Sequence, residues 1–174
     1  MRTSAVAARG ARGITLIECV IALAILAMLM SIALPSFGDA MARARLRTAA
    51  EDLALGLGNA RLESVRAGAG KVHVTVAPGA TWCWSVGPVA DVDCLNPPAG
   101  STVHVVRAID YPGITMTRGA SASFDGRDTF AAAGFAAEFM SPQGGALRVQ
   151  VTPLGRASIC APEGRSLDFP RCSA

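Results

Sequence analysis

A chain of 174 residues holds about one domain of ordinary size. It is 51% hydrophobic but only 5% aromatic, and its 17% of charged residues falls below the roughly 25% of a typical soluble domain. This composition excludes a fibrous repeat, charge-rich disorder and a polytopic membrane protein. The formal charge of +3 comes from Arg2, Arg9 and Arg12, because residues 14–174 hold 13 Lys+Arg against 13 Asp+Glu. Without those three arginines the chain has no bulk field to attract nucleic acid.

The first element is the apolar run from Cys19 to Leu34, broken only by Ser31. Extended back to Ile14 it has 21 residues, about 32 Å of helix and enough to cross a bilayer's hydrocarbon core. Arginines lie on both sides of it, so the positive-inside rule leaves its orientation open. A secretory signal would be followed by small residues at a cleavage site, which Leu34-Pro35-Ser36-Phe37 does not supply. A lipoprotein signal needs the apolar core ahead of Cys19, whereas here Glu18 precedes the cysteine and the core follows it. Cys19 therefore reads as a small apolar residue. Glu18 is the informative position: a carboxylate in a membrane-spanning stretch is costly and marks a function or a partner.

The segment Arg12-Gly13-Ile14-Thr15-Leu16-Ile17-Glu18, followed at once by the apolar helix, resembles the type III signal of type IV pilins and type II secretion pseudopilins. The resemblance implies that prepilin peptidase cuts after Gly13 on the cytoplasmic side, and that Ile14 becomes an N-methylated N-terminus. Most members have Phe at that position, so Ile14 is a departure. Glu18 is then the fifth residue of the mature chain and pairs with the N-terminal ammonium of a neighbouring subunit. Two opposite charges buried together are tolerable where each alone is expensive. Pro35 matches the proline that kinks these helices, since proline donates no backbone hydrogen bond. The implied location is the inner membrane, single-pass, with the C-terminal domain in the periplasm and competent to enter a filament. The implied partners are the prepilin peptidase/N-methyltransferase and other major and minor pilins or pseudopilins.

After Pro35 the spacing of Leu46, Ala49, Leu53, Leu57 and Ala60 predicts one buried helix face, with Arg47 and Glu51 an i,i+4 pair on another. Gly68-Ala69-Gly70 predicts the stop. From Lys71 the period becomes two. Lys71–Val76 and Leu147–Thr152 alternate strictly, and shorter strands are expected at Thr81–Val86, Val103–Ile109, Ile114–Thr117, Ala136–Met140 and Arg156–Cys160. The expected fold is α+β and pilin-like: a long N-terminal membrane-spanning helix packed against a C-terminal antiparallel β-rich domain. Its parts are a leader peptide at 1–13, the transmembrane half of the helix at 14–36, the periplasmic half at 37–68, and the globular domain at 69–174.

Further stretches are similar to the H/T/U-type minor pilins. They are Leu34-Pro35-Ser36-Phe37, Leu46–Leu53, Asn59–Arg66, Phe139-Met140-Ser141-Pro142-Gln143-Gly144 and Gly155-Arg156. This similarity implies a minor pilin that assembles into or primes a type IV pilus. The alternative is the minor pseudopilin H of type II secretion, which serves protein export across the outer membrane. Neither is an enzyme.

Four cysteines, Cys83, Cys94, Cys160 and Cys172, lie in the part expected outside the inner membrane, where an even number reads as disulfides. Of three connectivities, Cys83–Cys94 with Cys160–Cys172 is favoured, because each closes a short loop. Zinc is the rival, but no C-x-x-C occurs, and His73 and His104 read as ordinary strand residues, so no metal or cofactor is expected. Gly68-Ala69-Gly70-Lys71 lacks the first glycine of a phosphate loop, where Val65 stands, and follows a helix instead of a strand. Asp91 and Asp93 lack a full calcium loop pattern around them. Trp82 and Trp84 read as a core or inter-subunit contact. No catalytic constellation is present: there is no G-x-S-x-G and no H-E-x-x-H. Some relatives in this branch bind DNA through C-terminal arginines, which makes Arg148, Arg156, Arg165 and Arg171 the candidate contacts for a DNA-binding minor pilin in natural transformation. The relatives carry Gly-Arg-x-Arg, whereas this chain has Gly155-Arg156-Ala157-Ser158, so DNA is a disfavoured partner.

Overall fold

The computed structural model describes residues 15–66, 70–127, 134–152, 154–162 and 168–172, and within α1 it leaves aside the side chains of 32–36. The chain forms two compact units, Met1–Gly38 and Asp39–Ala174. One helix, α1 (Leu16–Arg66), supplies residues to both.

In the first unit, α1 begins after Thr15. The Glu18 N–H donates to the Thr15 carbonyl at 3.1 Å and to Thr15 Oγ1 at 3.4 Å, so Thr15 satisfies a donor that a helix start leaves open. The Glu18 carboxylate in the first turn also complements the positive end of the helix dipole. The described side chains of this half are exposed all round, Leu16 to 84%. The helix continues through Pro35. Among the described residues, no helix is long and apolar enough to cross a membrane; the apolar run continues past Ser31 into the side chains of 32–36, outside the described residues.

In the second unit, the helical stripe is the core. Leu46, Ala49, Leu53, Leu57 and Ala60 are all at most 1% exposed. The Arg47–Glu51 pair closes at 2.7 Å on the solvent side. Eight strands follow: β1 (Lys71–Ala77), β2 (Cys83–Gly87), β3 (His104–Arg107), β4 (Thr115–Arg118), β5 (Ala122–Asp125), β6 (Ala136–Met140), β7 (Ala146–Val151) and β8 (Ala157–Cys160). They pair antiparallel into two four-stranded sheets, ordered β3-β2-β1-β5 and β4-β6-β7-β8. A two-way backbone bridge between Gly79, just after β1, and Met116 on β4 ties the first sheet to the second. The strict alternation of β1 and β7 turns Val74, Val76, Leu147, Val149 and Val151 inward. All members of the main hydrophobic cluster, from Leu46 to Ala161, belong to Asp39–Ala174. This unit therefore carries its own core.

Two strand expectations needed revision. Val103–Ile109 is shorter than the alternation suggests: β3 ends at Arg107, and Ala108–Asp110 is a 3-10 turn. The cause is local, since Asp110 Oδ2 accepts the Arg107 N–H at 3.2 Å and folds the chain back. No alternation marks 122–125, yet β5 forms there. Alanine and serine have weak strand preference, and the strand exists because Phe124, opposite Val72 on β1, is buried. The expected helix stop at Gly68-Ala69-Gly70 falls partly on 67–69, outside the described residues.

Two disulfides join Cys83 to Cys94 and Cys160 to Cys172, separated by 11 and 12 residues. Short loop closure favours this same pairing, and each bond removes about 3 kcal/mol of denatured-state freedom on the chain-entropy account.

Candidate functional site

The residues singled out in the sequence fall in separate places. Gly13 and Ile14 lie outside the described residues, as does the Pro35 side chain. Glu18 stands exposed in the first turn of α1 and Cys19 is a free, exposed thiol beside it. The chemistry this end offers is that of a surface: an apolar helix with one carboxylate near its start. Exposed apolar area of this kind marks contact with lipid or with another protein.

Of the four candidate DNA arginines, one is already engaged by a carboxylate. Arg148, on β7, donates to Glu138 on β6 at 3.1 Å, the arginine 32% and the glutamate 13% exposed. Arg156 and Arg171 are exposed, and Arg165 lies outside the described residues. His73 and His104 sit on β1 and at the start of β3, and among the described residues no group of His, Cys, Asp and Glu is placed to hold a metal ion. Asp93 Oδ1 instead caps its own loop, accepting the Leu95 N–H at 2.9 Å.

The tryptophans are core. Trp82 donates from Nε1 to the Ile114 carbonyl at 2.8 Å, stacks on Tyr111 and meets Phe139 edge-on. Trp84 is 1% exposed, lies 5.3 Å from the His104 ring, and its buried Nε1 has no partner among the described residues.

Sequence reasoning did not find two features. The first is a hydrogen bond from Tyr111 Oη to Asp52 Oδ2, joining the turn after β3 to α1. Burial, then the hydrogen bond and charge of Asp52, with Asp110 adding to the field, push the Tyr111 phenol well above its ordinary value of 10.0. The second is a cavity of about 750 Å³ between α1 and the first sheet. No short motif encodes either, because each joins residues far apart in the chain. The exposed Leu55 and Val103 at the cavity are visible in sequence only as ordinary apolar residues.

The chain was compared with known proteins. Residues 8–34 match the model of the prokaryotic N-terminal methylation motif, so the chain carries a signal of the prepilin type. The match covers Gly13, Ile14 and Glu18 and stops before the unit that begins at Asp39. No curated protein and no solved structure matches the chain.

Proposed function

We propose that this chain is a prepilin, cut after Gly13, methylated on Ile14 and assembled as a minor, non-catalytic structural subunit of a type IV pilus. The observation that carries the reading is the methylation motif at 8–34 running into a helix whose described apolar side chains, as far as Met30, are all exposed. Before assembly such a surface is covered by the inner membrane, and within a filament by the helices of neighbouring subunits. In that setting the Glu18 carboxylate neutralises the ammonium of an adjacent subunit. The compact unit Asp39–Ala174, held by two disulfides, suits an oxidising periplasm.

The same motif serves the minor pseudopilin H of type II secretion, which is the second reading. DNA capture is a weaker third, since Arg148 is already paired with Glu138. An in-frame deletion, scored together for surface pili, secreted enzymes and DNA uptake, separates them. Loss of pili with secretion intact is the expected result. Loss of secretion with pili intact would replace the first reading by the second, and loss of DNA uptake alone would favour the third.

A further inference from the structure

The first sheet ends in β3, and among the described residues one edge of that strand has no partner strand. The register pairs Trp84 with Val106, Ser85 with Val105 and Val86 with His104, and the Ala108 N–H donates to the Trp82 carbonyl at 2.8 Å. Antiparallel pairs alternate between bonded and non-bonded, so the backbone groups of Val106 face β2 and those of Val105 and Arg107 face outward. Asp110 has taken the Arg107 N–H, whereas that of Val105 remains on the edge. The Arg107 guanidinium is turned onto the Leu95 carbonyl at 3.1 Å, so it does not guard the edge as basic residues on edge strands commonly do. The residues flanking β3 are apolar and open, Val103 at 82% and Ile109 at 81% exposed.

The cavity of about 750 Å³ lies beside this same strand. Leu55 on α1, with Val72, Val86, Val103 and Val106 from the sheet side, forms its apolar lining. Its charged lining is Asp52, whose carboxylate accepts from the neutral Tyr111 hydroxyl, and Glu63, which Arg66 meets at 3.1 Å, so Asp52 is the acid there whose charge no cation pairs among the described residues. The volume is several times that of one side chain and falls in the range of sites that hold whole ligands or peptide segments. An unpaired edge beside an apolar pocket supplies the two parts of strand addition: backbone bonds for affinity and side-chain pockets for choice of partner. The acidic lining sets the sign of the charge that is welcome there.

We propose that the outer edge of β3 and its cavity receive an extended segment of another protein chain, apolar at alternate positions and carrying lysine or arginine but no acid. The inference does not depend on the filament reading, because it concerns Asp39–Ala174 and is tested on that unit, which holds the whole main core cluster and both disulfides.

The probe is an acetylated, amidated octapeptide of sequence Thr-Val-Lys-Val-Thr-Val-Lys-Thr, with a twin in which Glu replaces both lysines. Amide resonances and hydrogen exchange of the isotopically labelled unit give the readout. The expected result is a saturable shift confined to β3 and the cavity, with exchange at Val105 slowed at least about tenfold. The Glu twin should bind at least about tenfold more weakly. Val105→Pro removes a donor that the β2–β3 ladder does not use, so the unit stays folded while peptide binding falls at least about tenfold. Val103→Asp, at an exposed position, should do the same. The proposal is overturned if β3 does not respond, if the Glu twin binds equally, or if Val105→Pro binds like the wild type. It is also overturned if neutral N-hexylacetamide fills the cavity and blocks the peptide without protecting Val105, which would assign the site to a small apolar molecule. Concentration-dependent protection of β3 without peptide would assign it to a second copy of this chain.

Discussion

Two glycines of α1, two residues apart, should respond to the same substitution with opposite signs. Glycine inside a helix is normally a weakness, and replacing it by alanine gains about 0.5–1 kcal/mol. At Gly58 an added methyl meets nothing within 4 Å, so Gly58→Ala should stabilise by that amount. At Gly56 the methyl would stand 2.6 Å from both Cη2 and Cζ3 of Trp84, about 1 Å inside the optimal carbon separation. The indole is 1% exposed and must move or push α1 away. Overpacking of this kind costs about 1–3 kcal/mol, which outweighs the helix gain. Gly56→Ala is therefore expected to destabilise by about 1 kcal/mol, leaving a gap of about 2 kcal/mol between the two variants. Urea unfolding of Asp39–Ala174, followed by tryptophan emission with the slope held common, measures both. If Gly56→Ala proved as stabilising as Gly58→Ala, Trp84 would not be packed against α1, and the cavity beside it would have to be redrawn.

Other outcomes follow from the same structure. Tyr111 is neutral in both folded and unfolded states below its ordinary value of 10.0; above it the unfolded chain releases the proton while the folded one keeps it, so stability should fall as pH rises past that value. Tyr111→Phe should flatten this alkaline loss, and pH-dependent urea midpoints would show whether it does. Replacing Cys83 and Cys94 together by serine should lower stability by about 3 kcal/mol, and a loss below about 1 kcal/mol in the same titration would refute the entropic account of that loop. Leucine at position 13 in place of Gly13 should leave an uncleaved precursor on an intact-mass spectrum, while Gly13→Ala is processed. Glu18→Ala should still reach the membrane but fail to enter filaments; normal incorporation of that variant in sheared filament fractions would remove the ion-pair argument.

Local pattern carried much of the fold. Leu46, Ala49, Leu53, Leu57 and Ala60 recur at helical spacing, and all are buried. The period of two in Lys71–Val76 and Leu147–Thr152 marks β1 and β7, since in a half-buried strand each residue's face follows from its position alone. β5 was illegible because its alanine and serine express no preference of their own, and Phe124 acquires its place only from Val72 across the ladder. The end of β3 was misjudged for a similar reason: the Asp110 carboxylate competes for the Arg107 N–H, and hydropathy does not report a hydrogen bond.

The candidate sites divide in the same way. The signal around Gly13, Ile14 and Glu18 is contiguous, so it is read directly from the chain and matches the methylation motif at 8–34. Arg148 looked like a cation available to phosphate until the β6–β7 register set Glu138 opposite it. The Tyr111–Asp52 bond and the β3 cavity join α1 to loops and strands many residues away. Sequence by itself thus determined the motif, the helical stripe, the strict strands and the disulfide-forming set, because each depends on residue type at short spacing. Only tertiary structure decided which charges are paired, which sheet edge is open and where space remains under the helix. Those properties belong to pairs of distant residues, and the chain acquires them when its two sheets close on α1.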